Sequence, residues 1–506
     1  MSGPRSAGGV LLVLDGWGHS EETAGNALAQ ANTPTLDLLR SKCPSSLLSA
    51  SGESVGLLPG TVGNSEIGHL VIGAGRPLPY DSLLVQRRID SGELRADQQL
   101  NALAQRVAQN DKALHLIGLC SDGQIHASVE HLTELLAVAA AQSVPRVWIH
   151  AITDGRDVAD GTAASYLQRV REMATEAGTG RLATVMGRGY ALDKAGNTTL
   201  TRAAGLAIAR AQGKSAADPA DAATAPERGD EWIPPTVFTG YRCIDDSDGV
   251  VFFNFRSDRI QQLADFILDH LAETGRAVEA MSLAQYDTRN PIRPVVTRSE
   301  ASGGLADELE RRGLRSIRIA EKEKFEHVTY YLNGRDDRPR PLEEHVLVAS
   351  AESSNYLERP EMNLGRVTDQ LCGALERSDV ALVIANLANI DVVGHTGNHA
   401  ATVSAAEHTD RAVEQIITAA AAAGRWTLLV GDHGNAEQMI ATGADGVTRG
   451  YGGHTTNPVP VVIVPAPGQA VPEELSAGGS LADVAPTILT LLGQPTGAAM
   501  TGRSLL

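Results

Sequence analysis

Cysteine is scarce. The 506 residues hold four, Cys43, Cys120, Cys243 and Cys372, far apart and without a CxxC spacing. This argues against a disulfide framework, and reduced thiols are expected. Positive charge is also in short supply: 43 Lys and Arg face 61 Asp and Glu, a formal net charge of −18. Such a field repels polyanions and argues against a general nucleic-acid or anionic-membrane binder. An anionic substrate would need a local basic pocket working against that field. Long hydrophobic runs are missing too. Nothing approaches the roughly 20 apolar residues that span a bilayer, and the Ala-rich stretch 416–423 reads as part of an amphipathic helix. The opening MSGPRSAGGV lacks the apolar core of a secretion signal, so a cytoplasmic location is expected.

What is present is an ordinary globular composition, 42% hydrophobic and 21% charged, in a chain long enough for two domains. Short apolar runs are expected as strands at 10–14, 114–119, 147–150, 182–186, 250–254, 316–320, 345–349, 381–385, 427–430 and 459–464. Helical spacing between many of them, as in 399–423 with its stop at Gly424, predicts an α/β fold with mostly parallel sheets. No internal repeat is evident. The stretch 212–229, rich in Ala, Asp and Pro, is expected to be a surface loop or insertion. Proline-containing stretches at 76–80 and 290–298 read as linkers. The middle segment, 79–299, is then an inserted domain, and 1–78 with 300–506 form one discontinuous domain.

Several polar residues stand just beyond the apolar runs, at the strand ends where open α/β sheets bind ligands. Asp15 follows VLLVL, and Asp432 and His433 follow TLLVG. Asp391 and His395 are four apart in NIDVVGHTGNH, so one helical turn or a tight loop aims both at one ion. His454 lies in YGGHTTNPVP, ahead of another apolar run. Ser65 sits in TVGNSEIGHL, with His69 expected to support its loop. Three Asp, three His and one Ser suit Mn²⁺, Zn²⁺ or Co²⁺ better than Ca²⁺, and are enough for two ions. A serine hydroxyl is a weak nucleophile at neutral pH. A metal on its oxygen stabilises the alkoxide, as a metal lowers the pKa of bound water from about 15.7 to about 7, so no Ser-His-Asp triad is required.

The middle segment carries a second set. Arg156 and Asp157 lie in TDGRD, Arg188 and Lys194 in MGRGYALDK, Arg256 and Arg259 in FFNFRSDR, and His126 in SDGQIHAS. Lys324 lies further on in EKEKFEHVTYY, a charge run of the kind that is usually a solvated face. Guanidinium forks match phosphate and carboxylate geometry, so these cations are candidates for one anion-binding pocket. Asp157 is either the structural partner of Arg156 or a general base helped by His126.

The motifs VLDGWG, GNSEIGHL, TDGRD, NFRSDR, EKEKFEHVTYYLNG, DVVGHTGN, GDHGNAE and HTTNPVP occur in one order along the chain. In this the sequence resembles the cofactor-independent phosphoglycerate mutases of the alkaline phosphatase superfamily. The resemblance implies an alkaline-phosphatase-like, mostly parallel sheet domain with an inserted second α/β domain that handles substrate. It implies interconversion of 3-phosphoglycerate and 2-phosphoglycerate in glycolysis and gluconeogenesis, without 2,3-bisphosphoglycerate. One Mn²⁺ would be held by Asp391, His395 and His454, and the other by Asp15, Ser65, Asp432 and His433. Ser65 would take the phosphoryl group as a phosphoserine, Asp157 would handle protons, and Lys324 would stabilise charge. His126, Arg156, Asp157, Arg188, Lys194, Arg256, Arg259 and Lys324 would bind substrate, with either Lys194 or Arg202 in the place of a family arginine. The expected partner is this small molecule alone, with no nucleic acid and no membrane, and a monomer is expected.

Overall fold

A computed structural model of the chain describes residues 8–193, 196–218, 228–298, 301–350, 355–442 and 448–506. The chain divides into two compact units: Met1–Pro79 with Ser299–Leu506, and Tyr80–Arg298 inserted between them in sequence. Each is built on its own eight-stranded sheet. Among the described residues, no helix is long and apolar enough to cross a membrane.

In the first unit the strand Gly9–Leu14 is buried along its whole length. An uninterrupted apolar run suits a strand covered on both faces with parallel neighbours on both sides. It pairs in parallel with Val380–Leu387 and with Trp426–Gly431, and Leu14 lies opposite both Leu387 and Gly431. This shared register brings the residues that follow all three strands to one edge. The sheet runs, in order, Glu343–Val348, Arg315–Glu321, Val380–Leu387, Gly9–Leu14, Trp426–Gly431, Val459–Val464, Ser45–Ser49 and Gly479–Ser480. The first five strands are parallel, and Val459–Val464 turns antiparallel. Val10, Leu12 and Leu14 face one way by strand alternation. They share a core with Leu371 of helix Leu364–Leu375 and with Val413 and Ile416 of helix His399–Ala422.

The second unit repeats the logic. Its sheet runs Arg293–Val296, Glu279–Ala284, Gly249–Phe252, Ala113–Leu119, Arg146–Thr153, Arg181–Gly187, Thr236–Phe238 and Lys214–Ala216, parallel except for the pairing of Arg181–Gly187 with Thr236–Phe238. Leu119 lies opposite Ile152, and Thr153 opposite Gly187, so the segments carrying His126, Asp157 and Arg188 leave from one edge. Two segments differ from the sequence reading. Part of the stretch read as a linker, 290–298, is the strand Arg293–Val296 at the edge of this sheet. Part of the expected loop at 212–229 is the short strand Lys214–Ala216 at the other edge.

Candidate active site

Asn64 caps the helix Ser65–Ala74, its side chain accepting from the Ile67 N–H at 2.9 Å, so Ser65 is the first helical residue. Ser65 therefore sits where free backbone N–H groups and the helix dipole favour an anion. Its Oγ donates to Asp15 Oδ1 at 3.1 Å and lies 2.9 Å from His433 Nε2. Lys324 Nζ reaches the same point, 2.6 Å from Ser65 Oγ and 2.7 Å from both Asp15 Oδ1 and Asp391 Oδ2. The whole group is buried. Gly16 permits the crowding: it has φ +74°, and a Cβ there would meet the Asp391 Cβ at 2.9 Å.

The donor atoms fall into two sets, each within 4.8 Å: Asp391, His395 and His454, and Asp15, Asp432 and His433. The first set poses a problem that a cation solves. His395 Nδ1 donates to the Gly452 carbonyl at 2.8 Å and His454 Nδ1 to the Gly63 carbonyl at 2.9 Å. With their protons on Nδ1, both rings point a lone pair from Nε2, and the two Nε2 atoms are 3.1 Å apart. Asp391 Oδ1 lies 3.4 and 3.5 Å from them and is buried without a hydrogen-bond donor. Three electron-rich atoms facing one another fit a shared divalent ion. In the second set Asp432 Oδ2 is likewise buried and unpartnered.

The electrostatics agree. Burial alone would raise the Asp15 and Asp391 carboxyls; Lys324 and His433 hold both well below the usual carboxylate range. Burial would lower His433, yet Asp432, Asp15 and Asp391 push it up to about 10. Lys324 is raised in the same way, as Asp15, Asp391 and Asp432 outweigh its desolvation. The pocket attracts positive charge strongly.

Lys324 thus belongs with Ser65 in the first unit, and the other cations expected to bind substrate belong to the second. There Arg188 Nη1 bridges Asp154 Oδ1 and Asp157 Oδ2, 2.6 Å from each. Asp154 also accepts from Ser121 Oγ at 2.6 Å and from the N–H groups of Arg156 and Asp157. His126 Nε2 lies 3.9 Å from Asp157 Oδ2, and its Nδ1 is buried without a partner. Burial, aided by Arg188 and Arg256, lowers the His126 pKa to about 4, so the ring is neutral near pH 7. Arg256 and Arg259 each bind one oxygen of Asp258, through Nε at 2.9 and 3.2 Å. Arg156 is 64% exposed at its side chain, with Glu231 3.8 Å away. Lys194 lies outside the described residues, and Arg202 is exposed on helix Thr198–Arg210.

Sequence reasoning missed Asp154 and Asn386. Asp154 was present in TDGRD, ahead of the two residues chosen. Asn386 was signalled by an amide inside the apolar run VIANL. It donates to Asp15 Oδ2 at 2.6 Å.

Comparison with known proteins agrees with this chemistry. The model of the Metalloenzyme superfamily matches residues 7–496. The 2,3-bisphosphoglycerate-independent phosphoglycerate mutase of Streptomyces coelicolor is 61% identical over 500 residues, 98% of each chain. The protein of the same name from Synechocystis is 38% identical over 510 residues, covering 98% of this chain and 95% of its own. The crystal structure of Leishmania mexicana phosphoglycerate mutase at low cobalt concentration matches with a TM-score of 0.73 at 26% identity, over 99% of this chain and 98% of the other. Near-complete coverage at this identity places the chain among the 2,3-bisphosphoglycerate-independent phosphoglycerate mutases, isomerases of the metalloenzyme superfamily.

Proposed function

We propose that the chain interconverts 3-phosphoglycerate and 2-phosphoglycerate through a phosphoserine at Ser65, with two Mn²⁺ ions, as a cytoplasmic monomer in glycolysis and gluconeogenesis. The observation that carries this reading is the position of Ser65 Oγ, within 3.1 Å of Asp15, His433 and Lys324 at a helix N-terminus. Asp391, His395 and His454 would hold one ion and Asp15, Ser65, Asp432 and His433 the other, and the ions would supply Lewis acidity toward the serine hydroxyl and the phosphoryl oxygens.

The chain's own groups do the rest. Ser65 Oγ, having lost its proton before attack, enters as the alkoxide, bonds to phosphorus as the ester bond to glycerate breaks, and is released as the alkoxide when the phosphoryl group leaves. Lys324 donates to Oγ and balances this charge. Asp157 gives a proton to the departing glycerate oxygen and takes one from the other hydroxyl, so the cycle closes without net proton uptake. Its contact with Arg188 fixes the direction of the carboxylate. Arg156, Arg188, Arg256, Arg259 and Lys194 hold the anionic substrate. His126, neutral at pH 7, completes this set beside Asp157. The first unit then serves as the phosphatase-like domain and the inserted unit as the transferase domain.

The test is incubation with 3-phosphoglycerate in Mn²⁺ without 2,3-bisphosphoglycerate. The expected result is 2-phosphoglycerate without free phosphate, lost in Ser65→Ala. Stoichiometric release of phosphate would instead identify a phosphohydrolase. Chelation is expected to abolish turnover and Mn²⁺ to restore it; full activity in metal-stripped protein would overturn the metal requirement.

A further inference from the structure

We infer that His69 and Asn386 are positioning residues for the Ser65 nucleophile, closing a ring of hydrogen bonds that ties the serine to Asp15. This deepens the mutase reading and rests on it.

His69 is fully buried, one helical turn after Ser65. Its Nδ1 lies 2.9 Å from the Ser65 carbonyl oxygen and its Nε2 3.1 Å from Asn386 Nδ2. The same Asn386 nitrogen is 2.6 Å from Asp15 Oδ2. An amide nitrogen has two protons and no lone pair, so it donates one to the carboxylate and one to the imidazole. Turning the amide over would set its oxygen against the carboxylate, so this orientation is fixed. His69 Nε2 is therefore an acceptor, and the ring proton is on Nδ1, where it binds the Ser65 carbonyl. Ser65 Oγ then donates to Asp15 Oδ1 at 3.1 Å, which completes the ring.

The ring is braced on its other sides. His327 stands edge-on to His69, with centroids 5.4 Å apart. Asp432 Oδ2 is 3.3 Å from His69 Nδ1 yet takes no hydrogen bond, which leaves it available to a cation. At Gly68 a Cβ would meet the Asp432 carbonyl oxygen at 2.6 Å, so the serine helix lies directly against that strand end. The first turn of the helix, and with it Oγ, is held relative to the metal-binding carboxylates before substrate arrives. Polar groups would not be spent in so buried a place on packing alone.

Two variants of full-length protein separate the bonds. His69→Asn keeps an N–H near the Nδ1 position; His69→Gln places its amide near Nε2 and loses the bond to Ser65. In His69→Gln, kcat is expected to fall by about 100-fold, the effect of misplacing a reacting group by about 1 Å, with KM and Mn²⁺ affinity by calorimetry within about threefold of wild type. His69→Asn is expected to recover kcat to within about tenfold. A His69→Gln protein with wild-type kcat, or one whose loss is matched by an equal loss of Mn²⁺ affinity, overturns the inference. The tautomer is checked without any variant: ¹H–¹⁵N correlation on histidine-labelled, metal-free protein is expected to place the His69 proton on Nδ1. A proton on Nε2 overturns it. Wild-type protein that makes no 2-phosphoglycerate sinks the mutase reading and this inference together. Active wild type, inactive Ser65→Ala and unaffected His69→Gln sink this inference alone.

Discussion

A single lysine ammonium lies between two sets of metal-ligand candidates, bonded to one carboxylate of each and to the serine. Removing one partner of a buried charge pair costs about 3–5 kcal/mol. Lys324→Met is therefore expected to melt well below wild type without metal, and Mn²⁺ should raise its melting temperature more than it raises that of wild type. Equal Mn²⁺ shifts in the two proteins would show that Lys324 does not compensate this cluster. Arg188→Lys replaces a buried fork with a point charge and frees Asp157 to turn. Steady-state kinetics on that variant are expected to show kcat/KM reduced by about 100-fold, in line with loss of a well-placed charge-assisted contact. At this scale legibility varied with local context. Asp15, Asp432 and His433 directly follow apolar runs, so their place at strand ends could be read. Lys324 sits in EKEK, where alternating charge suggests solvent, and only the short helical turn Lys322–Lys324 after a buried strand turns it inward. Asn386 has no local pattern that shows its partners; they come from residues 15 and 69.

Elements were more legible than side chains, because burial on both faces leaves a plain mark. All ten apolar runs fall wholly or mostly within strands. Most strands that escaped notice are edge or short ones; Glu279–Ala284, six residues long and inside its sheet, is an exception, with a glutamate and a serine breaking its apolar run. Ser45–Ser49 has only two apolar residues, and Arg293–Val296 contains a proline that is tolerated at a sheet edge. The central strand of the first unit should be the costliest to damage. Leu12→Ala removes a fully buried side chain and is expected to destabilise that unit by about 2–5 kcal/mol in denaturant unfolding. The cap of the serine helix is a smaller matter for stability: Asn64→Ala is expected to cost about 1 kcal/mol in the same experiment.

At the scale of the whole molecule, buried histidines make stability depend on pH. Burial lowers His131 to about 4 despite the nearby Glu134 carboxylate. An unfolded histidine takes up its proton near about pH 6.5. Between those values the unfolded chain binds a proton that the folded chain refuses, so stability falls as pH falls through this window and levels off below it. The total is about 3 kcal/mol. Comparing wild type with His131→Gln in urea unfolding, the stability difference is expected to change by about that amount from pH 7 to pH 4, in favour of the variant. A difference that stays flat would remove His131 as the cause. The order of segments also has a consequence for how the protein is made. Strand Gly9–Leu14 leaves the ribosome early, but its two sheet neighbours are Val380–Leu387 and Trp426–Gly431. At about 5–20 residues per second, translation keeps that apolar strand waiting on the order of tens of seconds. The contiguous inserted unit emerges during this interval with all of its own strands. It can therefore fold during synthesis, while the sheet that presents Asp15 waits for the last quarter of the chain.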